Sequence, residues 1–291
     1  MERMIRNLII TADDYGMCPP VNRAIEECMR AGTVRTTCVM TNMPHFHAAS
    51  ELRGKFPRCS LGIHWTLTDG QPVLPAPQVS TLVSANGTFH SAAELRRRWL
   101  KRMVRPDEIT AELDAQYRRF LDIAGKPDYW NTHENFHVLP GLFDLCVEKG
   151  LQKEIRAMRC HRRFTVSPHQ SAAVYHLRRP VYTVKRWLIG KWSQRAKKQG
   201  MLMPDGMIHM PGYDMTLAGL QEALNRLPWK SIRSAVELVV HPAVTSNHPL
   251  FRMNAEQRVK EYQVLSDPAV VDTLNAMGVQ LLNFEPLSLA A

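Results

Sequence analysis

Six side chains of the kinds that hold metals or move protons stand near the ends of apolar runs: adjacent Asp13 and Asp14, then His64, His133, His137 and His241. A carboxylate with two imidazoles is a facial set suited to a divalent ion that keeps positions open for water and substrate. Such an ion lowers the pKa of its water and polarises a carbonyl. A second carboxylate can then act as general base and a further histidine as general acid toward a leaving group. Taken singly, each residue has a plainer reading. Asp13 or Asp14 can cap the helix that starts around Pro19 and Pro20, and a lone histidine in an apolar strand is commonly a hydrogen-bonded core residue. Recurrence at several strand ends tips the balance toward chemistry.

The elements that must position these groups follow from apolar periodicity. Residues 7–16, NLIITADDYG, read as a buried parallel strand that stops at the two carboxylates. Neighbouring side chains of a strand face opposite ways, so both aspartates serve one site only where the strand frays, and Gly16 supplies a turn there. The pattern then predicts a helix over 21–31, a strand over 36–43, a helix over 44–53 and a strand over 60–67 that carries His64. A proline-rich loop over 70–90 is of a length that covers a barrel mouth or binds substrate. Beyond it come a helix over 106–124, a strand and exit loop over 128–136, a helix over 140–149, and strands over 155–161, 206–213, 237–244 and 278–284. His133 and His137 are spaced to share a helix face, but Trp130, Asn131 and the following Pro140 argue for a strand-to-loop turn. In such a turn one of the two binds metal while the other orients a ligand or borders the substrate. The alternation as a whole indicates an α/β fold of about seven mostly parallel strands wrapped by helices, with residues distant in sequence converging at the strand C-termini.

With 291 residues and 45% hydrophobic content, a single α/β barrel domain over 1–291 is expected. The chain has no 18-residue apolar run, and it enters its first strand without a charged leader and apolar segment, so a cytoplasmic location is expected. Six cysteines without CxxC spacing read as reduced core residues. The net charge of +10 gathers in 94–105 and in an insert at 178–200, which has eight Lys/Arg and no acid. Val181, Tyr182, Val184, Trp187, Leu188, Ile189 and Trp192 interleave with those cations, as in a helix lying on a membrane surface or packing its aromatic face on the domain. Nucleic acid is not an expected partner, because no helix-turn-helix, RNP or zinc-finger pattern accompanies the charge.

Four segments in order, TADDYG, LGIHWTLTDGQPV, NTHENFHVLPGLFD and ELVVHPAV, resemble the YdjC/ChbG/HpnK family of carbohydrate deacetylases over nearly the whole chain. The resemblance implies a distorted (β/α), TIM-like barrel that binds one divalent metal ion, Zn or Mg, at the strand C-termini. It implies Asp14, His64 and His133 as metal ligands, Asp13 as general base and His241 as general acid, although the two aspartates can exchange roles. His137, Tyr15, Trp65 and Trp130 are the candidate substrate-binding residues, the aromatic ones by stacking on a sugar face. Many members carry aspartate at the position of Asn131 and histidine at that of Asn135; if either is a ligand, the metal set differs here. The implied activity is hydrolysis of an N-acetyl group on an amino sugar, in an oligosaccharide or lipid-linked glycan. The 178–200 insert favours the lipid-linked kind and peripheral contact with the inner membrane surface. A homo-oligomer is compatible with the sequence. Two rivals differ in class: another metal-dependent hydrolase such as a phosphoesterase, and a non-catalytic barrel that binds membrane or polyanion through its charge.

Overall fold

The computed structural model describes residues 6–210, 212–251 and 254–285. Its strands are β1 (Arg6–Tyr15), β2 (Thr36–Val39), β3 (Ser60–Trp65), β4 (Tyr129–Thr132), β5 (Arg163–Thr165), β6 (Gly206–His209), β7 (Val236–Val240) and β8 (Val279–Leu282). All pair in parallel in the order β4-β3-β2-β1-β7-β6-β5, and β8 joins the first half of β1. Single bridges, Trp130 with Met158 and Ala157 with Leu202, carry pairing from β4 through residues 157–159, just before β5, to the segment that leads into β6. The two edges of the sheet thus meet, and seven strands curl into a distorted barrel with β8 as an eighth outside the ring.

The helices are α1 (Pro19–Ala31), α2 (Leu52–Lys55), α3 (Ala92–Leu100), α4 (Pro106–Ala124), α5 (Leu142–Gln152), α6 (Ala172–Leu177), α7 (Pro180–Lys198), α8 (Leu217–Asn225), α9 (Ala255–Leu265) and α10 (Ala269–Ala276). Parallel strands need such crossovers, which cover the outside of the sheet.

The period of two along the strands sorts the core into two parts. Leu8, Ile10, Ala12, Ile63, Trp65, Trp130, Val236 and Val240 face outward and pack with the helices in one large apolar cluster. Ile9, Cys38, Tyr129, Ala157, Ala235 and Phe284 form a separate small cluster, with the Tyr129 and Phe284 rings stacked 4.1 Å apart. Only the inside of the barrel brings these positions together. Gly62 belongs there for a steric reason, because a Cβ at that position would lie 2.4 Å from the Tyr129 ring.

Several segments differ from their sequence reading. Residues 155–161 make isolated bridges, and the strand β5 falls just after them. The helix expected over 44–53 is a 3-10 turn, Phe46–Glu51, followed by the single turn of α2. The 70–90 loop is pinned by carboxylates of α4: Glu112 accepts from the Val73 and Leu74 amides at 2.9 and 3.0 Å, and Glu108 from Thr81 at 2.8 Å. The basic insert is a helix only partly docked. Ile189, Ser193 and Ala196 of α7 are buried and Trp192 meets Phe143 at 5.6 Å, whereas Leu177, Val181, Val184 and Trp187 are exposed. Among the described residues no helix is long and apolar enough to cross a membrane.

Candidate active site

At the C-terminal end of β1 the pairing with β2 slips between Ala12 and Tyr15, and Asp14 takes a left-handed backbone with φ 71°. The strand therefore does not stop at the carboxylates. It bulges through them and continues to Tyr15, and the extra residue turns Asp13 and Asp14 toward one cleft. A second left-handed stretch, Glu134 and Asn135, follows β4 directly and turns His133 to the same place. Among the described residues, four of the six non-glycine ones with positive φ, Asp14, Glu134, Asn135 and Asn254, line this cleft of about 480 Å³. Backbone strain is concentrated where side chains must converge.

Three donor atoms meet there. Asp14 Oδ1 lies 3.4 Å from His64 Nε2 and 3.1 Å from His133 Nδ1, and the two nitrogens are 3.3 Å apart. Ligand atoms 2.0 to 2.1 Å from a tetrahedral ion are about 3.3 to 3.4 Å from one another, so this triangle fits a divalent metal without rearrangement. Asn131, directly opposite His64 on β4, sets the histidine tautomer. Its Nδ2 donates to the Asp13 carboxylate, which can only accept, at 3.2 Å. Its Oδ1 then faces His64 Nδ1 at 2.5 Å, so Nδ1 carries the proton and Nε2 keeps its lone pair for the triangle. Arg258 of α9 donates to the other Asp14 oxygen, Oδ2, at 2.6 Å. Burial works against the Asp14 charge, but His133, His64 and Arg258 outweigh it and hold the carboxyl well below its usual range. The same pairing, against the cost of burial, raises the pKa of His133.

Asp13 sits one layer deeper. Arg159 grips both its oxygens at 2.7 Å, and Glu237 accepts from Arg159 Nε at 3.0 Å. All three side chains are buried, and the planar guanidinium forks suit this bidentate geometry. Burial alone would push the Asp13 carboxyl up, yet the Arg159 charge and hydrogen bonds bring it below its ordinary value. Its two oxygens are unequal. Among the described residues, Oδ1 accepts from Arg159, from Cys38 Sγ at 3.1 Å and from Asn131, whereas Oδ2 accepts from Arg159 alone and lies 3.9 Å from His241 Nε2. Asp13, Cys38 and His64 form a second group within ligating reach of one another. It suits an ion poorly, because His64 Nδ1 is committed to Asn131 and burial beside Asp13 holds the Cys38 thiol protonated, with its pKa well above normal.

The structure thus gathers Asp13, Asp14, His64, His133 and His241 around one cleft. It does not bring Tyr15, Trp65, Trp130 or His137, the expected substrate contacts, there: each is fully buried and absent from the cleft wall. Trp65 and Trp130 directly neighbour His64 and Asn131, so strand alternation turns them to the outer core, where their rings meet at 5.2 Å. Tyr15 bonds Glu26 at 2.8 Å. The left-handed turn at 134–135 breaks the helical spacing, so His137 points inward to Thr132 Oγ1 at 2.5 Å and the His161 ring at 4.6 Å. Burial, with Arg159 nearby, pushes its pKa down to about 3. Arg159, Glu237, Arg258 and Asn131 are site residues that the motif reading did not single out for these contacts. For Arg159 the sequence offers no distinguishing signal, because Arg156 shares the same mixed segment.

The family model described as YdjC-like protein matches residues 7–276. A chitooligosaccharide deacetylase of Proteus mirabilis (strain HI4320) is 28% identical over 98% of this chain and 100% of its own length. A carbohydrate deacetylase of Geobacillus stearothermophilus is 28% identical over 97% of this chain and 98% of its own. In structure, a candidate cellobiose-phosphate cleavage protein of Enterococcus faecalis V583 superposes with a TM-score of 0.74 at 22% identity, covering 97% of this chain and 99% of that one, which is a likeness of fold.

Proposed function

This chain belongs to the YdjC-like protein family, and on that premise we propose that it hydrolyses the N-acetyl group of an amino sugar and releases acetate. The observation that carries the reading is the triangle of Asp14 Oδ1, His64 Nε2 and His133 Nδ1, 3.1 to 3.4 Å on a side, beside a separately held second carboxylate. A divalent ion, Zn²⁺ or Mg²⁺, held by those three would supply Lewis acidity toward the acetyl oxygen.

The remaining work falls to the chain's own side chains. Asp13 is kept ionised by Arg159, and its less occupied Oδ2 accepts the proton of the attacking water. The water oxygen bonds to the acetyl carbon, the C–N bond breaks, and His241 gives its proton to the departing amine. His241 suits that task because it is 42% exposed, where it meets solvent and substrate, yet lies 3.9 Å from Asp13. The opposite assignment of the aspartates is disfavoured by Arg258 and the two histidines, which occupy Asp14. In this reading residues 1–291 form one deacetylase unit. The exposed Leu177, Val181, Val184 and Trp187, set among the cations of 178–200, support contact with a lipid surface and a lipid-linked substrate.

Acetate release from N,N'-diacetylchitobiose and from a polyprenyl-linked N-acetylhexosamine, with Zn²⁺ or Mg²⁺ restored to chelated protein, is the test. Metal-restored release from either supports the reading, and silence on both with metal bound overturns it. Sedimentation with anionic vesicles tests the surface contact, which fails if Trp187→Ser binds as well as the parent.

A further inference from the structure

One side of the cleft is apolar and takes no part in the chemistry above: Met17, Met207, Ile208, Val239, Leu250 and Phe251 stand in its wall among the charged groups. Among the described residues, Phe251 supplies the one benzene ring of that wall, since Tyr15, Trp65 and Trp130 are turned into the core. It lies on the segment that leaves β7 after His241, where a turn holds it. The Phe251 amide donates to the His248 carbonyl at 2.9 Å, and the Leu250 amide donates to His248 Nδ1 at 3.3 Å. The Arg258 guanidinium sits over one face of the ring, 5.2 Å from its centre. The His248 ring, 5.6 Å away, is tilted by 51° and is not stacked on it. Arg258 is also the side chain that donates to Asp14 Oδ2 at 2.6 Å and to the His241 carbonyl at 3.5 Å. A single guanidinium thus fixes an aromatic ring relative to a candidate metal ligand and to the residue that meets the departing amine.

We propose that Phe251 is the sugar-stacking residue of this cleft, receiving the apolar face of the amino-sugar ring while the N-acetyl group lies at the Asp14, His64 and His133 triangle. The inference rests on the deacetylase reading above and adds to it the contact that selects a cyclic substrate. A pyranose carries its hydroxyls around the rim and C–H bonds on its faces. Those polarised hydrogens are drawn to the negative face of a benzene ring, and stacking also removes apolar area from water. Leu250 and Met207 offer area without that quadrupole. With Arg258 on one face of the Phe251 ring, a ligand has the other. Asp69 and Gln257 line the same cleft and suit hydroxyls at the sugar's rim.

Two measurements on the metal-loaded full chain separate this inference from the reading beneath it. The first is calorimetric titration with chitobiose, which has no acetyl group to lose and so reports sugar binding whether or not acetate is ever released. Phe251→Ala is expected to weaken binding about tenfold, and Phe251→Tyr, which keeps the ring, to stay within about twofold of the parent. Equal affinity in the parent and Phe251→Ala makes the ring plain packing and overturns the proposal. So does an equal loss in both variants, or no binding by the parent. The second is acetate release from N,N'-diacetylchitobiose, where Phe251→Ala is expected to raise KM about tenfold while kcat changes less. A fall in kcat at unchanged KM overturns the stacking role and leaves the deacetylase reading standing. Binding of chitobiose that depends on Phe251, with no acetate released by the parent, supports the sugar contact and overturns the deacetylase reading instead.

Discussion

Asn131 joins the two halves of the site through one amide, with Oδ1 toward His64 Nδ1 at 2.5 Å and Nδ2 toward Asp13 at 3.2 Å. An aspartate at this position could accept from His64 but could not donate to Asp13; the amide does both. Asn131→Ala is expected to free the His64 tautomer and weaken metal affinity about 10- to 100-fold, as read by competition with a chromogenic chelator. Unchanged affinity would mean the imidazole needs no such partner. Asp13→Asn is expected to cut acetate release about 100-fold or more while metal content stays near that of the parent. Parallel loss of metal would move Asp13 among the ligands.

The bulge in β1 is the element that makes an adjacent carboxylate pair usable, and the inner face of the barrel sets how deep each partner lies. Below the site the barrel is plugged by the stacked Tyr129 and Phe284 rings, which leave no room for a side chain on Gly62. Gly62→Ala is expected to lower stability by about 1 to 3 kcal/mol through overpacking. A denaturant midpoint that does not move would show that the ring has somewhere to go. Strand ends and helix faces were legible because apolar runs and 3.6-residue spacing are local signals. The 155–161 segment misled for the opposite reason: it interleaves apolar residues with basic ones as a strand can, yet its backbone partners are single bridges on either side.

Across the whole molecule the buried histidines give stability a pH dependence. His137 is neutral in the fold with its pKa pushed down to about 3, mainly by burial, and an unfolded chain takes up that proton near pH 6.5. The unfolded state binds more protons below pH 6.5, so this histidine subtracts stability as pH falls from there toward 3, at about 1.4 kcal/mol per pH unit. Urea midpoints measured between pH 6.5 and 4.5 are expected to fall less steeply for His137→Gln than for the parent. Identical slopes would mean that His137 takes its proton in the folded state as readily as in the unfolded one.

The strand ends that hold the candidate residues, the parallel α/β character and the family resemblance were legible in the sequence, because motif residues sit at fixed offsets from apolar runs. The sequence also marked the 178–200 charge as unusual. Which neighbours of those motifs reach the cleft depends on long-range packing. Trp65 and Trp130 are turned away by alternation that depends on which sheet face is inside, and His137 by a left-handed turn that no spacing rule anticipates. Arg159 is buried against Asp13 and Glu237 while Arg156, three residues before it, is exposed. Local composition does not distinguish the two arginines. Their difference arises from which strands lie opposite once the barrel has closed, and closure is a property of distant pairings.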